Sequence, residues 1–238
     1  MKNQYFGDTR DLFKYDLILE LLFKNDFLER FTFIPMLTED TENLHGRRTN
    51  YDNARAGTQR KELINLVGRC ITENRRNIVE LKGFFRSLRL PRKVDFEIYR
   101  KNEFFSHETR ARYFGEISGQ LMSRSVILVD PDIGLEVKSM RNREENYISY
   151  AEVELLFSRM DRNSLLVIFQ FIPRVERRKY FIQIGRKLKS TLNCSSVLYV
   201  SDNQVVFFIL TKDLEVQNHV TDAINGYSKI YNLITGRI

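Results

Sequence analysis

Residues 125–138 read SVILVDPDIGLEVK, and the fold turns on how the run from Ser125 to Val129 is placed. The run is apolar without alternation, so a strand built from it must be covered on both faces. SLLVIFQFI (164–172) and QVVFFILTK (204–212) repeat the pattern, and SSVLYVSD (195–202) joins the latter through an Asp-Asn turn at 202–203. Between them, AEVELLFSRM (151–160) and VERRKYFIQIGRKLKSTL (175–192) carry apolar residues at helical spacing. Continuously apolar strands alternating with amphipathic helices predict an α/β fold: a mainly parallel sheet with helices on both faces. Ligands of such sheets sit beyond the carboxyl ends of the strands, and Asp130 is at one of those ends.

Working outward, DTRDLFKYDLILELLFKNDF (8–27) has helical periodicity with Asp8 or Thr9 as its cap, and FTFIPML (31–37) reads as a strand. The polar stretch 38–61 has no periodicity and predicts a long loop. Residues 61–72 and 75–88 read as helices, and 89–94 as a connector broken by Pro91. DFEIYRKNEFF (95–105) predicts a strand, SHETRARYFGEISGQLM (106–122) a helix, and LEVQNHVTDAINGYSKIYNLI a terminal helix. The expected organisation is a single α/β domain over 1–238, with 38–94 as an inserted or helical subregion.

The 238 residues are 42% hydrophobic, enough for a substantial core, and no apolar run approaches membrane-spanning length. The opening MKNQYFGDTRDLFKYD lacks signal-peptide anatomy, so the expected location is cytoplasmic, with no membrane partner. Cys70 and Cys194 match no metal or disulfide spacing, and His45, His107 and His219 share no ligand spacing. The formal charge is +7, and cations cluster at 47–61, 86–93 and 174–179. A polyanion gains most from such a field, so a nucleic-acid partner is expected.

DPDIGLEVK itself admits three readings. Pro131, Asp132 and Gly134 make a good turn, the proline presetting φ and the glycine taking a positive one. Alternatively, Asp130, Asp132 and Glu136 with Lys138 follow the Asp…Glu-x-Lys order of metal-dependent nucleases. The carboxylates would then hold Mg²⁺, Lys138 would steady the attacking hydroxide, and VILVD and LEVKS would form a hairpin. The acids stand closer in sequence than is usual in those enzymes.

The third reading rests on a resemblance. GDTRDLFKY, with Gly7, Asp11 and Lys14 ahead of a hydrophobic helix, resembles the Gly-Asn-x-x-Asp-x-x-Lys-His opening of bacterial ribosomal-RNA adenine-N6 methyltransferases, and the whole chain looks like the related three-Cys-motif partner proteins. The resemblance implies a Rossmann-like, class I methyltransferase-type sheet with a C-terminal β-hairpin. It also implies that Asp130 and Pro131 hold a target exocyclic amine, that Lys14 stands by the substrate, and that S-adenosylmethionine (SAM) is the donor. Asp8 and Tyr15 replace the family's Asn and His, Asp132-Ile133 replaces Pro-Tyr, and no Gly-rich turn follows the first strand. The expected site is Asp130, Pro131, Asp132 and Glu136, with Lys14, Asp11, Lys138, Gln170 and Arg174 around it and Arg47 and Arg48 as substrate contacts. A binding module without catalysis is the remaining alternative.

Overall fold

The computed structural model describes residues 1–42, 49–51, 56–88, 90, 92–137, 140 and 143–238. The sequence-predicted residues His45, Arg47, Arg48, Pro91 and Lys138 lie outside them. Strands β1 (Arg30–Ile34), β2 (Asp95–Ile98), β3 (Ser125–Val129), β6 (Leu165–Phe171), β7 (Leu198–Ser201), β8 (Val205–Leu210) and β9 (Ile234–Arg237) form one sheet in the order β2-β1-β3-β6-β8-β7-β9. β1 pairs in parallel with β2 and β3, and β3 with β6. β8 is inserted antiparallel between β6 and β7, and β9 runs antiparallel to β7 at the edge. The result is a Rossmann-like α/β sheet that ends in a β-hairpin.

The apolar runs become strands because both of their faces are needed. In β3, Val126 and Leu128 enter one core while Ile127 and Val129 enter the other. In β6 and β8 the same alternation sends Val167, Phe169 and Phe207 to the first face and Ile168, Val206 and Phe208 to the second. The first face is covered by α1 (Thr9–Lys24), α2 (Lys61–Thr72), α3 (Glu80–Ser87) and α7 (Leu214–Tyr231). The second is covered by α4 (Arg110–Gly115), α5 (Tyr150–Arg159) and α6 (Arg177–Leu192). Among the described residues no helix is long and apolar enough to cross a membrane.

Helix ends follow local chemistry. The Asp8 carboxylate accepts from the backbone N–H groups of Arg10 and Asp11, and Ser149 with Glu152 closes a reciprocal capping box on α5. α6 and α7 both stop at asparagines, Asn193 and Asn232, in the left-handed region.

Several sequence expectations need correction. The strand expected over 95–105 ends at Ile98, because Arg100 takes φ +46° and turns to pair with Glu103 at 2.6 Å. The helix expected over 106–122 starts only at Arg110 and breaks after Gly115, resuming as a short 3-10 turn at Gly119–Met122. Its Ser106 and Thr109 hydrogen-bond each other's backbone N–H groups, which delays the start. The terminal helix stops at Tyr231, and the edge strand β9 follows unforeseen.

The acidic corner also differs from the hairpin expected of VILVD and LEVKS. Gly134–Leu135 (β4) pairs in parallel with Tyr147–Ile148 (β5) in a separate ribbon. That ribbon is latched to the end of β6 by Phe171 N–H donating to the Ile133 carbonyl at 2.9 Å.

Candidate functional site

The chain leaves β1 toward β2 on one side and returns to β3 on the other, so the order of strands reverses between β1 and β3. In open α/β sheets that reversal, at the carboxyl ends, is where a crevice forms. Asp130 closes it: its N–H donates to the Ile34 carbonyl at 2.9 Å, continuing the β1–β3 ladder one residue further. Its carboxylate therefore turns inward, 1% exposed, toward α1.

α1 meets it with Lys14. The ammonium donates to Asp130 Oδ2 at 2.7 Å and to Asp11 Oδ1 at 2.9 Å, across 116 residues of sequence in the first case. Asp11 Oδ2 in turn accepts from the Gly7 N–H at 2.8 Å, and the Phe169 ring lies 5.0 Å from the lysine ammonium. Gly7, with φ +89°, is the turn that lets the chain enter α1 with Asp11 reaching back.

Electrostatics sharpens the arrangement. Burial pulls the Lys14 pKa down, but the flanking carboxylates of Asp11 and Asp130 outweigh it, so the lysine is held cationic with its pKa above the ordinary value. Burial pushes the Asp130 carboxyl up, against the opposing pull of Lys14. Asp8 is pushed up to about 6, first by burial and next by the charge of Asp11. The Tyr15 phenol, raised by burial beside the same acids, has no hydrogen-bond partner for its hydroxyl among the described residues.

The corner opens into a hollow of about 40 Å³, lined by Asp8, Arg10, Asp130, Pro131, Asp132 and Phe171 among others. Arg10 forms one wall, bonded to Asp8 Oδ2 at 3.1 Å and stacked 4.7 Å over the Phe171 ring. Asp132 faces the other side, where the Met1 amino group stands 3.3 Å from Oδ1 and the Lys2 ammonium 3.7 Å from Oδ2.

The structure thus gathers Asp11, Lys14, Asp130, Pro131 and Asp132 around one hollow. It sends the rest elsewhere. Glu136 accepts from the Tyr150 N–H at 3.0 Å and serves as a second cap on α5. Gln170 uses Oε1 to accept from the Leu135 N–H and Nε2 to donate to the Phe171 carbonyl, both at 2.7 Å, so its amide clamps β4 against β6. Gly134 lies flat on that amide, where a Cβ would collide with Oε1. Arg174 is exposed on the β6–α6 connection.

The metal set read as Asp130, Asp132 and Glu136 is not assembled: Asp130 is spent on Lys14 and Glu136 on α5. Among the described residues, no group of three or more His, Cys, Asp or Glu could hold a metal ion. His107 and His219 are exposed, on the approach to α4 and on α7.

Nor does the hollow beside Asp130 fit SAM. Sites for molecules of that size take about 300–1,000 Å³, and the hollow offers about 40 Å³. Beyond Ile34, where a glycine-rich turn would cradle a nucleotide, Thr38 N–H bonds the Met1 carbonyl at 2.7 Å and Phe105 N–H the Leu37 carbonyl at 2.6 Å. Tyr99, Phe105, Tyr113 and Phe114 pack in one cluster with Ile34 and Met36.

Asp8, Arg10 and Phe171 were not legible as site residues. Asp8 reads as a helix cap and Arg10 carries no signal of its own, and only the fold shows that α1 lays both on the end of β6. Comparison with protein-family models, with curated proteins and with solved structures gives no match to this chain.

Proposed function

We propose that this chain is a nucleic-acid-directed, methyltransferase-like protein in which Asp130 and Pro131 orient the exocyclic amine of a base. The observation that carries the reading is the 2.7 Å contact between Lys14 and Asp130. It joins the two motifs on which the resemblance rests, GDTRDLFKY and Asp-Pro-Asp, at the crevice where ligands of such sheets bind.

A carboxylate accepts hydrogen bonds from an N–H₂ group, and a buried one discriminates strongly against a base that lacks it. Lys14 pulls against the burial that pushes the Asp130 carboxyl up, and its bond to Oδ2 leaves Oδ1 as the oxygen free to accept. Asp11 holds Lys14 from the far side, so the ammonium cannot follow the carboxylate outward. A flipped base does not fit a hollow of about 40 Å³. Entry therefore requires the Arg10 side chain to leave Asp8 and Phe171, after which Phe171 offers an aromatic face. Methyl transfer is not part of this reading, because the hollow beside Asp130 has no room for the donor.

The test is binding of matched oligonucleotides, one with adenine and one with purine, which lacks the amine, at the same position. Wild type is expected to prefer adenine by about tenfold or more, and Asp130→Asn to lose the preference. Equal binding of both by wild type would overturn the reading. Titration of SAM into the oligonucleotide complex checks the donor separately, with no heat expected.

A further inference from the structure

Helix α6 carries the most one-sided charge in the described structure. Between residues 174 and 192 the only acid is Glu176, and its carboxylate is taken by the backbone N–H groups of Arg178 and Lys179 as the helix cap. Phe181, Ile184, Leu188 and Leu192 face the sheet. At about 100° per residue, Lys179 and Arg186 fall opposite that stripe and Arg178 and Lys189 on one flank of it, and all four are exposed.

None of them makes an ion pair with a described residue, whereas Arg100, Arg110 and Arg112 on the same side of the sheet are all paired to glutamates. Lys187, on the other flank, is turned aside to stand 3.7 Å over the Tyr150 ring, and Arg177 donates to Asn203 Oδ1 at 2.6 Å. The four cations thus form a ridge spanning most of a 16-residue helix, roughly 24 Å long at 1.5 Å per residue. It starts at the rim of the sheet, since α6 follows the carboxyl end of β6, and β6 is the neighbour of β3.

We infer that the outward face of α6 is the docking surface for a nucleic-acid phosphodiester backbone. This inference rests on the function proposed above and names a surface, across the sheet from α1, whose N-terminal end reaches the rim where the Asp130 corner opens. Unpaired cations in a line release counterions when they meet a line of phosphates, which is where sequence-independent affinity comes from. An anionic membrane is a poorer fit, because surface-seeking helices present an apolar face to the lipid, and here the apolar face of α6 is buried against the sheet.

The experiment compares three proteins against a labelled oligonucleotide between about 50 mM and 300 mM salt. They are wild type, an α6 variant (R178Q, K179Q, R186Q, K189Q), and a control of equal net charge altered at exposed cations elsewhere (K61Q, R69Q, K93Q, K229Q). Each lost phosphate contact lowers the slope of log K against log salt by about 0.7–0.9. The α6 variant should lose about 3 in slope and on the order of 100-fold in affinity at about 100 mM salt, and the control far less. If wild type binds no oligonucleotide, the proposed function falls and this inference with it. If wild type binds and the α6 variant matches the control, only the α6 assignment is overturned. Tighter binding of wild type to phosphatidylserine vesicles than to oligonucleotide would also overturn it.

Discussion

Lys14 and the cations of α6 are of one charge type, and the fold puts them to opposite use. Lys14 is 4% exposed and held between two carboxylates. Arg178, Lys179, Arg186 and Lys189 stand in water, with no described carboxylate paired to them. A buried charge survives only with its partners in place, because desolvating it costs several kcal/mol that nothing but close opposite charges can offset. An exposed charge needs no partner and is free to find one outside the molecule. The difference teaches that the corner's charges are tied to the integrity of the fold, while those of α6 are not.

The strongest way to break this contrast is Lys14→Ala. It leaves Asp11 and Asp130 buried without their cation and should destabilise the protein by about 3–5 kcal/mol, read by chemical denaturation. Replacing all three together (Lys14→Met, Asp11→Leu, Asp130→Leu) sharpens the point. Stability should return to within about 2 kcal/mol of wild type if good packing substitutes for the ion pairs, while any preference for the amine-bearing base stays lost.

Gly134→Ala comes next. Its φ of +146° strains any residue with a side chain, and the Gln170 amide, lying against the glycine Cα, leaves no room for a methyl group. A loss of about 2–3 kcal/mol is expected, and a smaller one would mean that the β4 latch is looser than its hydrogen bonds indicate.

Asp8 gives a pH signature. Its folded pKa of about 6 lies above the ordinary 3.8, so the folded state holds the proton more tightly. The resulting stability is fully present below about pH 3.8 and is lost as pH rises through about 6. Asp8→Asn keeps the helix cap and removes the titration. Denaturation curves for the two proteins at intervals from about pH 4 to about pH 7 should diverge across that window, and parallel curves would show that Asp8 is not held protonated by its surroundings.

The smallest effect is expected on α6. Arg178→Gln or Lys189→Gln should change stability by no more than about 0.5 kcal/mol, measured by thermal melting. A larger loss would place these side chains in the fold after all.

Much of the sheet was readable because its signal is local. SVILV and LLVIFQF must bury two faces each, and the helices between them present one apolar side, so β3, β6, α5 and α6 are legible to within a residue or two. Asp130 at the end of a parallel strand follows directly. The elements that were missed lack such a signal. β9, with ITGR, is half-exposed and exists only because Asn232 turns the chain back along β7. β4 and β5 are two residues each, and their pairing depends on the ends of β6 and α5.

The site divides along the same line. GDTRDLFKY, as text, already contains an N-cap, a carboxylate and a lysine three residues further along one helical face, and DPD already marks a strand end that turns. Which acids would share one hollow was beyond it. Glu136, six positions from Asp130, is drawn to α5 by an unsatisfied N–H, while Lys14, 116 positions away, is drawn in by the carboxylate's need for a cation. Periodicity and capping act over a few residues and can be read from a string. The pairing of buried charges depends on which surfaces exclude water together, and only the packed sheet and helices decide that.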